Sequence, residues 1–447
     1  MRAFPITLAT PPDHSGPLPQ AVDVTVIGGG IIGLMTAWEL SREGLRVLLC
    51  EKGKLAGEQS GRNWGWLRQQ GRDLAELPIM MAAMRCWKDL PPALREAIGF
   101  RPTGVTYLAR DAARMASFEG WLAQAKPHGI DSRMLSRSEV EAMLPNSAGW
   151  IGALHTPSDA QAEPFVTVPL LARAAIADGV IVRETCAVRG LELAAGRISG
   201  VVTEAGTVRC DRVVLAGGAW SSLFLAAHGV RLRQLSVAST VSTTASLPAG
   251  FAHGAAADDR FAIRCRADGS HDLTAWSSHR FFIGPDAFRN FGAFLPHLLA
   301  DFRSTKLRSA APQGYPDGWR TPRHWSNTDR SPFERCRILN PRPDMAGIAQ
   351  LQNQFASAFP SIGKPVIAAS WAGMIDVTPD TLPVVDHAPI PGLVIATGMS
   401  GHGFGIAPGM AKVIANLVQG RAQQSEISAF GYDRFFDGTQ ARVSSAI

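Results

Sequence analysis

The run from Val24 to Glu51 constrains this chain more than any other stretch. Asp23 to Ile27 is a short apolar strand, Gly28, Gly30 and Gly33 follow in G-x-G-x-x-G spacing, and Ile31 to Arg42 has helical character. In such a unit the first glycine permits the strand-to-helix turn and the second lets backbone approach phosphates. The third lets helix and strand pack closely, while the helix N-terminus, from Ile31 on, offers its positive dipole end. A second strand, Arg46 to Cys50, ends at Glu51 and Lys52, where a carboxylate can accept hydrogen bonds from an adenosine ribose. A glycine-rich turn beside an ordinary surface glutamate is the competing reading, but the strand, helix, second strand and acid together favour a dinucleotide site.

The chain is long enough, at 447 residues, to surround that unit with a second domain. Apolar residues make up 46% and charged residues 18%, which describes a globular protein rather than a disordered one. The net charge of +6 is spread without the basic block expected of a nucleic-acid binder. Cysteines 50, 86, 186, 210, 265 and 336 form no C-x-x-C pair, and His271, His279 and His324 have no metal-ligand spacing, so no metal site is expected. Reduced thiols suit a cytoplasmic protein, and peripheral membrane attachment stays open. No run approaches about 18 apolar residues, the minimum for a transmembrane helix. The first 21 residues, with five prolines and no secretion segment, are expected to form an extension that packs on the surface or is disordered.

Three later stretches bear on chemistry. In Ser60-Gly61-Arg62-Asn63-Trp64-Gly65-Trp66, the side chains of Ser60, Arg62 and Asn63 can donate hydrogen bonds to a cofactor, and Trp64 and Trp66 can wall a cavity. The competing reading is a surface loop pinned by tryptophan packing. Val213 to Ser221 is a buried strand running into Gly217 and Gly218, where something needs close backbone approach, with Trp220 either shielding a cofactor or filling the core. Leu393 to Thr397 is a strand entering Gly398-Met399-Ser400-Gly401-His402-Gly403, followed by a helix from Ile406 to Val418. Its N-terminus is suited to an anion such as that near N1 and C2=O of a reduced flavin. Between these, Ala112 to Ala125 is helical, Ser136 to Glu141 is a short capped helix, and Phe165 to Ile176 is a helix with a break at Pro169. Phe261 to Arg266 and His271 to Thr274 form a hairpin whose Arg264 is either solvated or turned to a substrate carboxylate.

Together, G-G-G-I-I-G at 28–33 with Glu51, S-G-R-N-W-G at 60–65, V-V-L-A-G-G-A-W-S at 213–221, T-P-D-x-x-P at 378–383 and G-M-S-G-H-G at 398–403 resemble the D-amino-acid oxidase superfamily. The likeness is to the branch containing glycine oxidase, sarcosine oxidase, D-amino-acid dehydrogenase and gamma-glutamylputrescine oxidase. It implies an α/β fold in which a Rossmann-like FAD-binding domain is interleaved with a mixed-sheet α+β substrate domain. The implied division is a 1–21 extension, FAD-binding segments 22–100, 161–230 and 346–430, substrate segments 101–160 and 231–345, and a 431–447 tail. Val188 matches the residue whose backbone meets adenine, and Gly373 falls where monomeric sarcosine oxidase attaches FAD through cysteine, so FAD is expected to be noncovalent.

The implied activity is oxidation of a carbon–nitrogen bond by hydride transfer to flavin, giving an imine that hydrolyses to an oxo acid or aldehyde. The expected substrate is a D-amino acid or an N-substituted amino acid, with oxygen, a quinone or an electron-transfer partner as acceptor. Arg264 is the expected carboxylate clamp because a guanidinium pairs bidentately, and Trp66, Arg68 and His402 are further candidates beside the flavin. Two alternatives are a larger hydrophobic amine as substrate, or an FAD-binding subunit of a hetero-oligomeric dehydrogenase. A flavin- or NAD-linked hydroxylase or halogenase shares the first motif but not the C-terminal frame.

Overall fold

The computed structural model describes residues 5–10, 14–247, 254–276, 278–300, 305–421 and 427–437. Pro11 and Pro12 of the extension and residues 438–447 of the tail lie outside them.

The strand at Val24–Ile27 pairs in parallel with both Val47–Cys50 and Arg212–Leu215. Extended outward, the six-stranded sheet runs in the order 384–387, 393–397, 212–215, 24–27, 47–50, 181–183. Strand alternation explains why it is covered on both faces. Val24, Val26, Val47 and Leu49 pack into one apolar cluster with Ile406, Met410 and Ile414 of the Gly403–Val418 helix. Leu48, Cys50, Val213 and Leu215 face the other way, into a cluster with Trp220 and Phe224.

A ten-stranded mixed sheet gathers 105–109, 133–136, 152–156 and the strands between 235 and 308. Its 235–244 strand also pairs along its length with Ile367–Val377, whose far end leads back toward the first sheet through 384–387 and 393–397. The closing segment therefore contributes strands to both sheets.

Several local expectations meet a definite outcome. The 137–143 helix is capped by Ser136, whose Oγ accepts from Glu139 N while Glu139 Oε2 accepts from Ser136 N. Pro169 does not break its helix: Pro164–Ala177 is continuous, with Pro169 buried beside Val168 and Leu171. Apolar packing there outweighs one lost backbone hydrogen bond. The extension lies on the surface through backbone pairing, with Glu184 N donating to His14 O and Arg209 N to Gln20 O.

Candidate active site

One cavity of about 530 Å³ brings together the glycine turn at 28–30, the 58–68 loop, Val188, the 215–218 turn, the middle of the 367–377 strand and the 399–405 turn. That size falls in the range of roughly 300–1,000 Å³ usual for ligand sites. The strand order causes the convergence: 24–27, 212–215 and 393–397 are neighbours, so the turns after all three leave the sheet on the same edge.

At the nucleotide end, Gly28 has φ +115° and a Cβ there would lie 2.3 Å from Ala216 O. Gly33 lies behind the cavity, where a Cβ would meet Gly28 O at 2.0 Å, so it packs helix against strand. Gly30 precedes the first helix, and Ile31 N donates to Ser60 Oγ at 2.9 Å. Glu51 accepts from Gly29 N at 2.7 Å and Gly53 N at 2.6 Å. Burial pushes its carboxyl above the ordinary value, against the pull of Lys52 and those two N–H groups. Lys52 Nζ donates to Glu58 Oε1 at 2.7 Å and lies 4.4 Å above the Trp220 ring, whose Nε1 donates to the same oxygen. Trp220 thus both lines the cavity and fills the core beneath it.

Arg62 is the central polar group of the middle section. Its Nε donates to Gly57 O, and Nη1 donates to Asn340 Oδ1 and Ala372 O, while Nη2 is buried without an acceptor among the described residues. A buried unpaired guanidinium nitrogen costs free energy unless something accepts from it. Gly373 lies against the Arg62 side chain, with Gly217 and Val188 also on the wall. Asn63 turns inward on its own loop: Nδ2 donates to Ser60 O and Oδ1 accepts from Gly65 N. The orphan Arg62 nitrogen and the glycine cradle, which any side chain would fill, fit a dinucleotide cofactor.

At the C-terminal turn, Gly401 and His402 face the cavity and Gly403 begins the helix. An added Cβ at Gly401 would meet only Ile375 Cγ2, at 3.8 Å. What glycine provides there is its φ of +83°. Gly398 stands behind the wall, where its N–H donates to Asp376 Oδ2 at 2.7 Å.

The far end is aromatic and basic. Trp64, Trp66 and Trp276 surround one another, with ring centroids 5.5, 5.7 and 6.1 Å apart, and all three line the cavity. Arg68 stands beside them with Nη1 donating to Gln70 O and its guanidinium over the Tyr107 ring. Asp159 fixes this segment by accepting from Gln69 N at 2.7 Å and Gln70 N at 3.2 Å, and burial pushes its carboxyl up to about 6.

Arg264 is elsewhere. It is only 1% exposed and absent from the cavity wall. Its Nε and Nη2 donate to Asp272 Oδ2, Nη2 also to Glu163 Oε2, and Nη1 to Ala162 O. It is neither solvated nor free to clamp a carboxylate, because the hairpin sets Asp272 directly opposite it and the neighbouring strands bury both. Trp276, Arg72 and Glu76 were not singled out as site residues from the sequence. Trp276 follows the second hairpin strand, and Arg72 and Glu76 have the i, i+4 spacing of an ion pair, which is the one signal the sequence offered.

The profile of the DAO family, FAD dependent oxidoreductase, matches residues 23–417. The chain belongs to this family. Among DAO-fold structures, L-amino acid deaminase from Proteus myxofaciens in complex with anthranilate superposes with a TM-score of 0.87 at 29% identity, covering 94% of this chain and 95% of that one. Sarcosine oxidase subunit beta of Rhizobium meliloti (strain 1021) is 24% identical over 424 residues, 93% of this chain and 89% of its own. Mitochondrial sarcosine dehydrogenase of Mus musculus is 29% identical over 231 residues, and the match spans only a quarter of that protein. No described helix is long and apolar enough to cross a membrane.

Proposed function

We propose that this DAO-family chain oxidises the carbon–nitrogen bond of an α-amino acid with a large apolar side chain, using FAD held without a covalent bond. The observation that carries the reading is the cavity itself: a dinucleotide cradle at one end and three indoles beside an arginine at the other. FAD, when bound, supplies the two-electron acceptor for the substrate hydride. Arg62, Glu51 and the three glycine turns would hold it, and Gly373 offers no thiol for a covalent link. Arg68 takes the carboxylate role first expected of Arg264, since its guanidinium reaches the cavity with one nitrogen engaged. Trp64, Trp66 and Trp276 exclude water and receive the side chain. The likeness to an L-amino acid deaminase favours an L substrate over the D- or N-substituted amino acids that the sequence suggested.

Acid precipitation should release a yellow chromophore into the supernatant; flavin retained with the pellet refutes noncovalent binding. A panel of L-, D- and N-methyl amino acids with their decarboxylated analogues, read anaerobically by flavin bleaching, tests the rest. Faster bleaching by small amines lacking a carboxylate would overturn the reading. The likeness over most of its length to a subunit of a larger oxidase supports a second arrangement, in which electrons leave through a partner chain rather than to oxygen or a quinone. Bleaching without turnover in air distinguishes it from an oxidase.

A further inference from the structure

At the cavity wall sits a buried charge cluster with a free end in the cavity. Glu76 is fully buried, and neither of its oxygens has a well-aligned hydrogen bond among the described residues. The basic groups beside it are His402 Nδ1, at 3.2 Å from Oε2, and Arg72 Nη1, at 3.9 Å. Arg72 is itself anchored, with Nε donating to Arg68 O and Nη2 to His402 O. His402 keeps 16% of its side chain exposed, and it lines the cavity while its Nδ1 is sealed against Glu76. The nitrogen left to meet a ligand is therefore Nε2.

If the site oxidises an amino acid, as proposed above, it faces a protonation problem. A free amino acid near neutral pH carries an ammonium group, and hydride cannot leave its α-carbon until the nitrogen lone pair is available. We propose that His402, oriented by Glu76, accepts a proton from the substrate ammonium at Nε2. Glu76 holds the Nδ1–H tautomer, which leaves a lone pair on Nε2. One ammonium N–H bond breaks, an Nε2–H bond forms, and the resulting imidazolium lies beside the Glu76 carboxylate until solvent removes the proton.

The charges around the ring fit this role. Burial lowers the affinity of His402 for a proton, Glu76 opposes that, and Arg72 and Arg68 reinforce it, leaving it below the ordinary histidine value. Burial would raise the Glu76 carboxyl, but His402 and Arg72 outweigh it and keep it ionised. The imidazole is thus neutral and ready to accept at neutral pH. Glu76 acts through His402 and is a positioning residue.

Histidine-labelled holoenzyme gives the first test, because nitrogen-15 NMR reports the tautomer whatever the substrate. Nδ1–H is expected in the wild type and a tautomer mixture in Glu76→Gln; a wild-type Nε2–H tautomer overturns the proposal. The second test is the pH dependence of anaerobic flavin reduction, with FAD content checked in each variant. His402→Asn should slow reduction at pH 7 by about 100-fold, the lower range for a general base, with recovery toward alkaline pH as free amine becomes available. Glu76→Gln should shift the acidic limb to lower pH, since removing the carboxylate lowers the imidazole's proton affinity, and should lower the plateau. A merely structural role would not move that limb. Wild-type bleaching with the limb unmoved in both variants overturns this assignment alone, whereas no bleaching by any amine overturns it together with the functional reading.

Discussion

Arg264→Met removes a buried guanidinium while keeping much of its volume. In the native protein that group satisfies Asp272, Glu163 and the Ala162 carbonyl at once. Afterwards Arg266 remains 3.2 Å from Asp272 Oδ1 and 3.9 Å from Glu163 Oε2, and Arg101 3.9 Å from Glu163 Oε1. Breaking a buried ion pair by removing one partner costs about 3–5 kcal/mol. An unfolding entropy of about 2.1 cal/mol/K per residue gives roughly 0.9 kcal/mol/K for this chain, so Tm should fall by about 3–5 °C. The loss has an acid-side signature as well. Burial raises the Glu163 carboxyl, but Arg264, Arg266 and the Ala267 N–H outweigh it and hold it below the ordinary range. Its stabilisation is therefore present above the ordinary carboxylate pKa and is lost as pH falls through the folded value; in the variant the loss should begin at higher pH. Differential scanning fluorimetry between pH 3 and 8, beside the ratio of activities toward carboxylated and decarboxylated substrates, measures both effects. An unchanged Tm with a collapsed ratio would refute the structural role and return Arg264 to the substrate.

Arg68→Met should collapse that same ratio by about 5- to 150-fold, equivalent to 1–3 kcal/mol for a charge-assisted pair, with Tm and FAD content little changed. Asp159 holds its proton up to about 6 in the folded state, so the stability it contributes is full below the ordinary aspartate pKa and is lost as pH rises toward 6; Asp159→Asn should flatten Tm over that window. Gly28→Val puts a side chain against the Ala216 carbonyl and should yield protein largely free of flavin by absorbance. Gly401→Ala meets only the left-handed backbone penalty, about 1 kcal/mol, and should retain FAD with a small loss of Tm.

The nucleotide half of the fold was legible because its signals are local: glycine spacing, short apolar strands and an acid at the end of the second. The hairpin was legible for the same reason. What could not be read was which side of the hairpin strand Arg264 occupies in three dimensions. That depends on the strands at 255–257 and 235–244, which flank the hairpin on its two sides in the sheet, and on Glu163 from another segment. The cross-strand acid was visible all the same: counting back through the Asp268-Gly269 turn sets Asp272 opposite Arg264. Trp276 escaped notice because its meaning comes from Trp64 and Trp66, more than 200 positions away. Glu76 escaped notice because nothing local shows that its carboxylate is sealed against a histidine from the C-terminal turn.

The central strand of the nucleotide sheet sets an order on biosynthesis. Val24–Ile27 emerges early together with the Ile31–Arg42 helix, yet one of its two strand partners lies at 212–215 and the helix that completes its apolar cluster begins at Gly403. At about 5–20 residues per second, the first glycine turn waits tens of seconds for the last one. During that interval Val24–Ile27 and Val47–Cys50 have only the Ile31–Arg42 helix from their own segment to pack against, and the apolar cluster they share with Ile406, Met410 and Ile414 stays incomplete. FAD has no complete site until then, so flavin capture reports that the last third of the chain has docked. A chain cut short before Gly398 should leave the ribosome unable to retain flavin and with an incomplete apolar cluster beside its sheet, which makes it a substrate for chaperones and proteases rather than a partly active enzyme.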